Sequence, residues 1–241
     1  MNNVLLIIRR ELMAYLKTPS GYIIAAIMLL WQGVAFNAYA VGDEARLSTD
    51  VLKRFFEVAG GTVIVTGVLF SMRLLAEERA SGTQVLLLTS PIREGEIVAG
   101  KFLASFAFLA IVILSSAYLP ALVSVNGKVS LGHIAAGYGG LLLLGATTLS
   151  IGMFASSLVR HPFLAVMLTG AFAALLEITW WMARIADPPL SDVLASFSPF
   201  YQHYADFRKG LVKLSDVVFY CSVMYVMLVA ATRVLKSQRW Q

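Results

Sequence analysis

Polar side chains that could do chemistry are concentrated in one segment between apolar runs, RLLAEERASGTQVLLLTSPIREGEIVAGK at residues 73–101. Its candidate docking residues are two acids, a base and two turn residues: Glu77, Glu78, Arg79, Gly82 and Pro91. Glycine ends a helix at low conformational cost, and a serine followed by proline favours a helix start. The pattern predicts a structured loop with a short helix, either a docking surface for a partner or a plain solvated loop.

A second candidate is Glu177, an acid well inside an apolar run. A charge at the bilayer centre costs about 2.5–3.5 kcal/mol on insertion scales, so this carboxyl must be protonated, paired or facing water. Arg184 follows about two helical turns later on the same face. We therefore expect Glu177 either to line a transport pathway or to form a structural pair with Arg184 at the outer rim.

Side-chain sets for catalysis or nucleotide binding are missing from the sequence. It has no GxxxxGK[ST] phosphate loop, no Ser-His-Asp or Cys-His set on one predicted surface, and no metal-binding cluster. We predict no catalytic residue, no metal and no cofactor on this chain, so any ATP must bind to another chain. His203 is expected to be a solvated interface histidine, with a heme or ligand site as the alternative.

Composition indicates a membrane protein. Apolar residues make up 59% of the 241 and charged residues 14%, against about 45–50% and about 25% in ordinary globular chains. A soluble domain of this length could not bury so much apolar surface. The net charge is +5, but the basic residues flank apolar runs, which indicates membrane-surface anchors and no nucleic-acid partner. The single cysteine, Cys221, excludes an intrachain disulfide.

Apolar runs long enough to cross the roughly 30 Å hydrocarbon core recur along the chain. We predict an all-α polytopic membrane protein with about six transmembrane helices, a single transmembrane domain over residues 1–241. The predicted spans are residues 20–41, 57–75, 102–125, 134–159, 162–183 and 213–232. An inner coupling loop at 76–101 carries a coupling helix, and an outer segment at 184–212 forms a hairpin before the sixth span.

Residues 1–19 are predicted to form an amphipathic elbow helix. Arg9 and Arg10 lie on its polar side and leucine and isoleucine on the other, so it should lie flat in the membrane interface or serve as a plain juxtamembrane anchor. Pro19 ends it and turns the chain into the bilayer. Basic residues precede the first span and acidic residues follow it, which predicts that both termini are cytoplasmic.

Aromatic residues in the outer segment fall at helical spacing and form one face: Phe200, Tyr201, Tyr204 and Phe207. Aromatic belts favour membrane interfaces. We therefore expect this segment to dip into the boundary of the outer leaflet.

Three stretches of the chain carry a family resemblance. The strongest is MRLLAEERASGT, continuing through LLLTSPI to IVAGK, in the inner coupling loop. The others are REL in the elbow, with a following Pro19 and Tyr22, and SPF through FRKG to DVVFY near the C-terminus. Together they resemble permease subunits of type-2 ABC exporters, most closely the gliding-motility (Gld) branch. Members often have glutamate where this chain has Val85, so contact with an ATPase is expected to differ in detail.

The resemblance implies a permease subunit of an ABC exporter in the bacterial cytoplasmic (inner) membrane. A separate ATPase, carrying ATP and magnesium, would dock on the inner face. A second permease copy, most simply a homodimer, and an auxiliary membrane protein with a large outer domain would complete the complex. The residues to which it assigns ATPase coupling lie in the elbow and the inner loop: Arg10, Glu11, Glu77, Glu78, Arg79, Gly82, Thr83, Pro91, Gly100 and Lys101. The aromatic residues of the outer segment would cap the pathway.

Two other function classes stay open. An ATP-independent secondary transporter or channel usually carries several polar groups near the midplane, and this chain has one interior acid. A membrane-embedded enzyme would need a cluster of polar catalytic residues at one depth. Co-purification with an ATPase would favour the exporter over both.

Overall fold

The chain is described by a computed structural model at residues 3–41, 47–83, 92–126 and 129–238. These residues form helices and no strands. The helices are Asn3–Lys17, Pro19–Ala35, Ser48–Phe70, Ala76–Ala80, Glu94–Ser115, Tyr118–Asn126, Leu131–Leu158, Pro162–Ala183, Leu190–Ala195, Tyr204–Arg208 and Leu214–Gln238. Shorter π-helical or 3-10 turns adjoin them at Phe36–Val41, Ser71–Arg73 and Pro199–His203.

Within the described ranges, six helical stretches are long and apolar enough to cross a membrane. Numbered from first to sixth span, they are Gly21–Tyr39, Ser48–Ala80, Glu94–Val125, Leu131–Leu158, Pro162–Ala183 and Leu214–Gln238. The predicted all-α polytopic fold with about six transmembrane helices is confirmed. The Asn3–Lys17 helix precedes the spans and keeps the name elbow helix.

Local sequence explains where several helices begin and end. Pro19 and Pro162 stand in the first helical turn, where a missing N–H and a fixed φ cost nothing. The last turn of the second span stops before Gly82, which has a φ of +73° that glycine adopts cheaply. The third span follows Arg93, whose backbone N–H donates to the carboxylate of Glu96 at 3.0 Å. This capping box fixes the direction in which the chain re-enters the bundle.

The fourth span forms the centre of the bundle. In the most apolar part of the fourth span, 78% of the residues are buried. The corresponding shares for the first, fifth and sixth spans are 22%, 11% and 17%, and these three spans present apolar faces outward. The glycines of the fourth span allow close approach, because a Cβ on Gly137 would lie 2.3 Å from the Phe56 ring and one on Gly140 2.5 Å from Phe207 Cβ. These small residues therefore let neighbouring elements pack closely against the fourth span.

A buried serine of the fourth span stabilises an interruption in the helix of the second span. The 3-10 turn at Ser71–Arg73 interrupts the regular helix, and the backbone N–H groups of Leu75 and Ala76 donate to Ser156 Oγ at 3.0 and 2.8 Å. A buried serine therefore satisfies donors that the interrupted helix leaves open. The second span is fixed against the centre at this bend.

The elbow helix packs along the start of the third span. Ile7 and Tyr15 are buried there, and a Cβ on Gly100 would lie 2.8 Å from Ile7 Cγ2. Leu5 and Leu6 are about half exposed on another face, at 59% and 48%. We call the end of the bundle that carries the elbow helix the elbow end, and the end that carries residues 184–212 the aromatic end.

Candidate functional site

Four charged side chains form a network at the elbow end. Lys101 Nζ of the third span lies 2.9 Å from Glu78 Oε1 of the second span and 3.4 Å from Glu11 Oε2 of the elbow helix. Arg10 Nη2 lies 2.7 Å from Glu11 Oε1 and 3.3 Å from Glu78 Oε1. The network joins three elements that are far apart in sequence, and all four residues were assigned to coupling by the family resemblance.

Lys101 determines the energetics of this network. Only 3% of its side chain is exposed, so its ammonium depends on the two carboxylates around it. Arg10, with 58% of its side chain exposed, closes the network toward solvent and balances the second acid. Glu78 Oε2 is buried and has no hydrogen-bond partner, so the network is charge-balanced but not fully hydrogen-bonded. Removing either partner of the Lys101–Glu78 pair would leave a buried charge.

The elbow residues of the network are held in their charged forms. Burial raises the pKa of Glu11, but Lys101 and Arg10 outweigh it and hold the pKa below its usual value. The hydrogen bond to Glu11 is the largest cause that raises the pKa of Arg10 above its usual value. Nearby, burial raises the pKa of Tyr15 to about 12, and its hydroxyl is hydrogen-bonded to Ser105 Oγ at 2.9 Å.

Arg79 ties the end of the second span to the fourth and sixth spans. Its guanidinium donates to the Val159 carbonyl at 3.1 Å and to the side chain of Gln238. The Gln238 amide donates in turn to the Ser157 carbonyl at 3.2 Å. Arg79 is thus a structural link across the elbow end.

The adjacent acids of the inner loop face different surroundings. Glu78 is enclosed by Lys101 and Arg10, whereas Glu77 is 53% exposed and pairs with Arg73 Nε at 3.4 Å. Successive helical residues are rotated by about 100°, so only one of the two can face outward. Replacing both acids by lysine would therefore place a cation beside the buried Lys101.

The other predicted coupling residues are divided between packing and surface. Gly100 is buried against the elbow helix, while Gly82 and Thr83 are exposed beyond the second span. Thr83 Oγ1 donates to the Glu78 carbonyl at 3.3 Å and so closes this turn. Pro91, with the predicted helix start beside it, lies outside the described residues.

At the aromatic end, the outer segment is inserted into the bundle. Tyr204 and Phe207 are 0% and 1% exposed, and the Tyr204 hydroxyl donates to the Phe56 carbonyl at 2.9 Å. Burial raises the pKa of Tyr204 well above its usual value. Arg208 Nη1 lies 2.9 Å from Glu57 Oε1 of the second span. At these two residues the aromatic face is therefore directed into the protein. The dip of the segment into the outer leaflet boundary stays a prediction.

The first half of this aromatic face is only partly covered. Phe200 and Tyr201 are half-buried, and the Tyr201 ring lies 6.0 Å from that of Trp180 and 6.1 Å from that of Trp181. The Arg208 guanidinium lies 5.3 Å from the centre of the Phe200 ring. The four aromatic residues assigned to the outer cap thus connect the second, fourth and fifth spans.

Glu177 anchors the outer segment to the fifth span. Its Oε2 accepts a hydrogen bond from Ser198 Oγ at 2.7 Å, and its Oε1 accepts one from the Phe200 backbone N–H at 3.0 Å. Arg184 lies instead over the rings of Trp180 and Trp181. The predicted Glu177–Arg184 pair is wrong. The carboxylate instead accepts from the Ser198 hydroxyl and from the backbone N–H of Phe200 in the π-helical turn.

His203 is enclosed at the aromatic end, with 12% of its side chain exposed, so the solvated histidine expected from sequence is wrong. Nδ1 lies 2.8 Å from Asp216 Oδ1, Nε2 lies 2.9 Å from the Ser196 carbonyl, and the ring stacks 3.8 Å from that of Phe219. Both ring nitrogens thus have an oxygen partner, one from the Asp216 side chain and one from the Ser196 backbone. Asp216 falls at the start of the sixth span, and its position gave no signal of this pairing.

Comparison with known proteins agrees with this architecture. A family model described as ABC-2 family transporter protein matches residues 25–239. None of the curated proteins compared with the chain matches it. The match extends from the first span through the sixth and includes the Glu78–Lys101 pair and the outer segment. The chain therefore belongs to the ABC-2 family and is a multi-pass membrane subunit of an ABC transporter.

Proposed function

We propose that this chain is the permease of an ABC exporter, and that it couples ATP hydrolysis on a separate ATPase to transport or mechanical work. The observation that carries the proposal is the Glu78–Lys101 pair with Glu11 and Arg10 around it. This network sits where the elbow helix, the second span and the third span meet. A force applied to the elbow or to the inner loop would reach both spans through charged contacts that are costly to separate.

The contacts of Arg79 extend this path. It links the end of the second span to the fourth and sixth spans through Val159 and Gln238. Displacement of the second span at the elbow end would therefore act on the centre of the bundle. Among the described acids of the inner loop, Glu77 is the exposed one, so we assign to it the direct contact with a basic patch on the ATPase.

The remaining parts of the proposal follow the family resemblance. The elbow end faces the cytoplasm of a bacterial inner membrane, with both termini on that side, and the ATPase supplies the sites for ATP and magnesium. A second permease copy completes the pathway, and the Gld-like motifs favour an auxiliary protein with a large outer domain. Glu177 is engaged by Ser198 and Phe200, which argues against an ion-coupled secondary transporter that would use this acid.

Affinity purification of the full chain from its native membrane tests the proposal. We expect an ABC ATPase to co-purify and the complex to turn over ATP. Native mass spectrometry should show two permease chains in that complex. Recovery of the folded chain without an ATPase, from membranes solubilised under several mild conditions, would contradict the coupling.

A further inference from the structure

A groove of about 440 Å³ runs between the first and second spans. Ile27 and Trp31 line it from the first span, and Gly61, Val65 and Leu69 from the second. Two threonines in its wall, Thr62 and Thr66, donate their hydroxyls to backbone carbonyls of their own helix at 2.8 Å. The groove is therefore effectively apolar over this length.

At the aromatic end the groove continues into a charged pocket of about 540 Å³, with Glu57 and Val58 lining both. Asp50, Lys53 and Arg54 of the second span line this pocket. Glu57 is paired with Arg208, whereas within the described part of the chain Lys53 and Arg54 form no ion pair. Two cations that pair with no carboxylate among the described residues therefore lie at the polar end of an apolar groove.

The dimensions fit one leaflet of a bilayer. From Val58 to Leu69 the helix rises about 16 Å at 1.5 Å per residue, close to half of a hydrocarbon core about 30 Å thick. Lys53 and Arg54 lie one to two helical turns beyond this stretch, where the headgroup of a lipid lying along the helix would fall. Charge and length thus both match a lipid-like molecule lying parallel to the second span.

We propose that the groove and pocket together bind an anionic amphiphile of the bilayer. One acyl chain lies in the groove between the first and second spans, and the phosphate lies beside Lys53 and Arg54. The inference rests on the proposed function only for the leaflet, which is the outer one if the elbow end faces the cytoplasm. It gives the exporter a class of ligand, an anionic acyl-chain phospholipid.

Photo-crosslinking in nanodiscs of phosphatidylcholine tests this site with the full chain. The probes are phosphatidylglycerol and phosphatidylcholine that carry a diazirine on the acyl chain, with labelled peptides identified by mass spectrometry. We expect phosphatidylglycerol to label residues 58–69 at least fivefold more than phosphatidylcholine, about the factor that one surface cation contributes. Lys53→Gln with Arg54→Gln should bring the two probes to equal labelling, whereas Arg9→Gln with Lys17→Gln, the same loss of charge at the elbow end, should not.

Gly61→Leu tests the acyl groove itself. A Cβ on Gly61 has no neighbour within 4 Å, so a side chain there begins in open space. The leucine should occupy the groove and abolish labelling of residues 58–69 by both probes. Gly139 of the fourth span has the same open surroundings, so Gly139→Leu is the matched control and should leave labelling unchanged.

Three results would overturn the site: equal labelling by the two probes in the unaltered chain, undiminished labelling in Gly61→Leu, or closure of the groove by a second copy. The last is detected as a disulfide-linked dimer of Val65→Cys in a Cys221→Ser background, together with no lipid labelling. The labelling experiment uses the chain without an ATPase. Failure to recover an ATPase would therefore count against the proposed function but would not affect the evidence for the lipid site.

Discussion

Lys101 Nζ lies 2.9 Å from Glu78 Oε1, and 3% of the lysine side chain is exposed. The two residues lie on the spans that flank the inner loop, so their pairing holds both ends of that loop at one place. Glu11 and Arg10 attach the elbow helix to the same place. A contact of this kind transmits force because opening it would expose or isolate a buried charge.

Lys101→Met should destabilise the protein strongly. It leaves the carboxylates of Glu11 and Glu78 with Arg10 alone, and breaking a buried pair in this way costs about 3–5 kcal/mol. Denaturant titration in mixed micelles measures the free energy of unfolding. Adding Glu78→Gln to Lys101→Met should recover part of the loss, because it removes one of the two uncompensated acids.

The matched control for this prediction is Lys17→Met, an exposed cation at the end of the elbow helix. Surface changes of this type stay within about 0.5 kcal/mol. If Lys101→Met were as mild as Lys17→Met, the network would contribute little and its role in coupling would lose its physical basis.

Glu77→Lys should weaken ATPase docking without unfolding the permease. The Glu77–Arg73 pair is exposed and contributes at most about 1 kcal/mol, while like charge across an interface can cost several. Pull-down of the ATPase and ATP turnover of the complex should both fall at least tenfold. Asp192→Lys makes the same charge change at the aromatic end and should alter neither; equal effects of the two variants would remove the docking assignment.

The presence of about six spans and the helix boundaries at Pro162 and Gly82 could be predicted because their signals are local. Pro162 and Gly82 act through their own φ angles, and apolar runs of sufficient length need no partner to be recognised. The sequence also indicates that Glu77 and Glu78 point in different directions, since adjacent helical residues are rotated by about 100°. This rotation predicts that one of the two acids faces outward, but it does not specify which one.

The polar contacts at both ends depend on which helices meet, and no local pattern specifies that. Glu177 is paired with Ser198 and the Phe200 N–H, and His203 with Asp216, across turns whose geometry the sequence does not reveal. The aromatic spacing at Tyr204 and Phe207 was read correctly as one face. Its direction into the bundle depends on room made by Gly60 and Gly140, on two other helices.

Glu177→Gln should loosen the outer segment. A carboxylate accepts from Ser198 Oγ and the Phe200 N–H at the same time, whereas a glutamine amide offers one acceptor oxygen and turns an NH₂ toward the other donor. Hydrogen exchange of residues 196–208 should become faster, with the elbow end unchanged. Asp187→Asn, an exposed acid on the same side, is the control; unchanged exchange in Glu177→Gln would show that packing of Tyr204 and Phe207 alone holds the segment.

The attachment of the elbow helix should depend on pH through Glu11. Its folded-state pKa lies below the ordinary value of 4.5, because Lys101 and Arg10 outweigh the effect of burial. A group with a depressed folded pKa contributes stability that is fully present above its unfolded pKa and is lost as the pH falls through the folded pKa. The difference in unfolding free energy between the unaltered chain and Glu11→Gln should therefore be constant from pH 7 to about pH 5 and shrink at lower pH.

Asp192→Asn, far from any cation of the network, should show no such trend. A difference between the unaltered chain and Glu11→Gln that persisted undiminished at pH 3 would mean that Glu11 acts through packing and not through its charge.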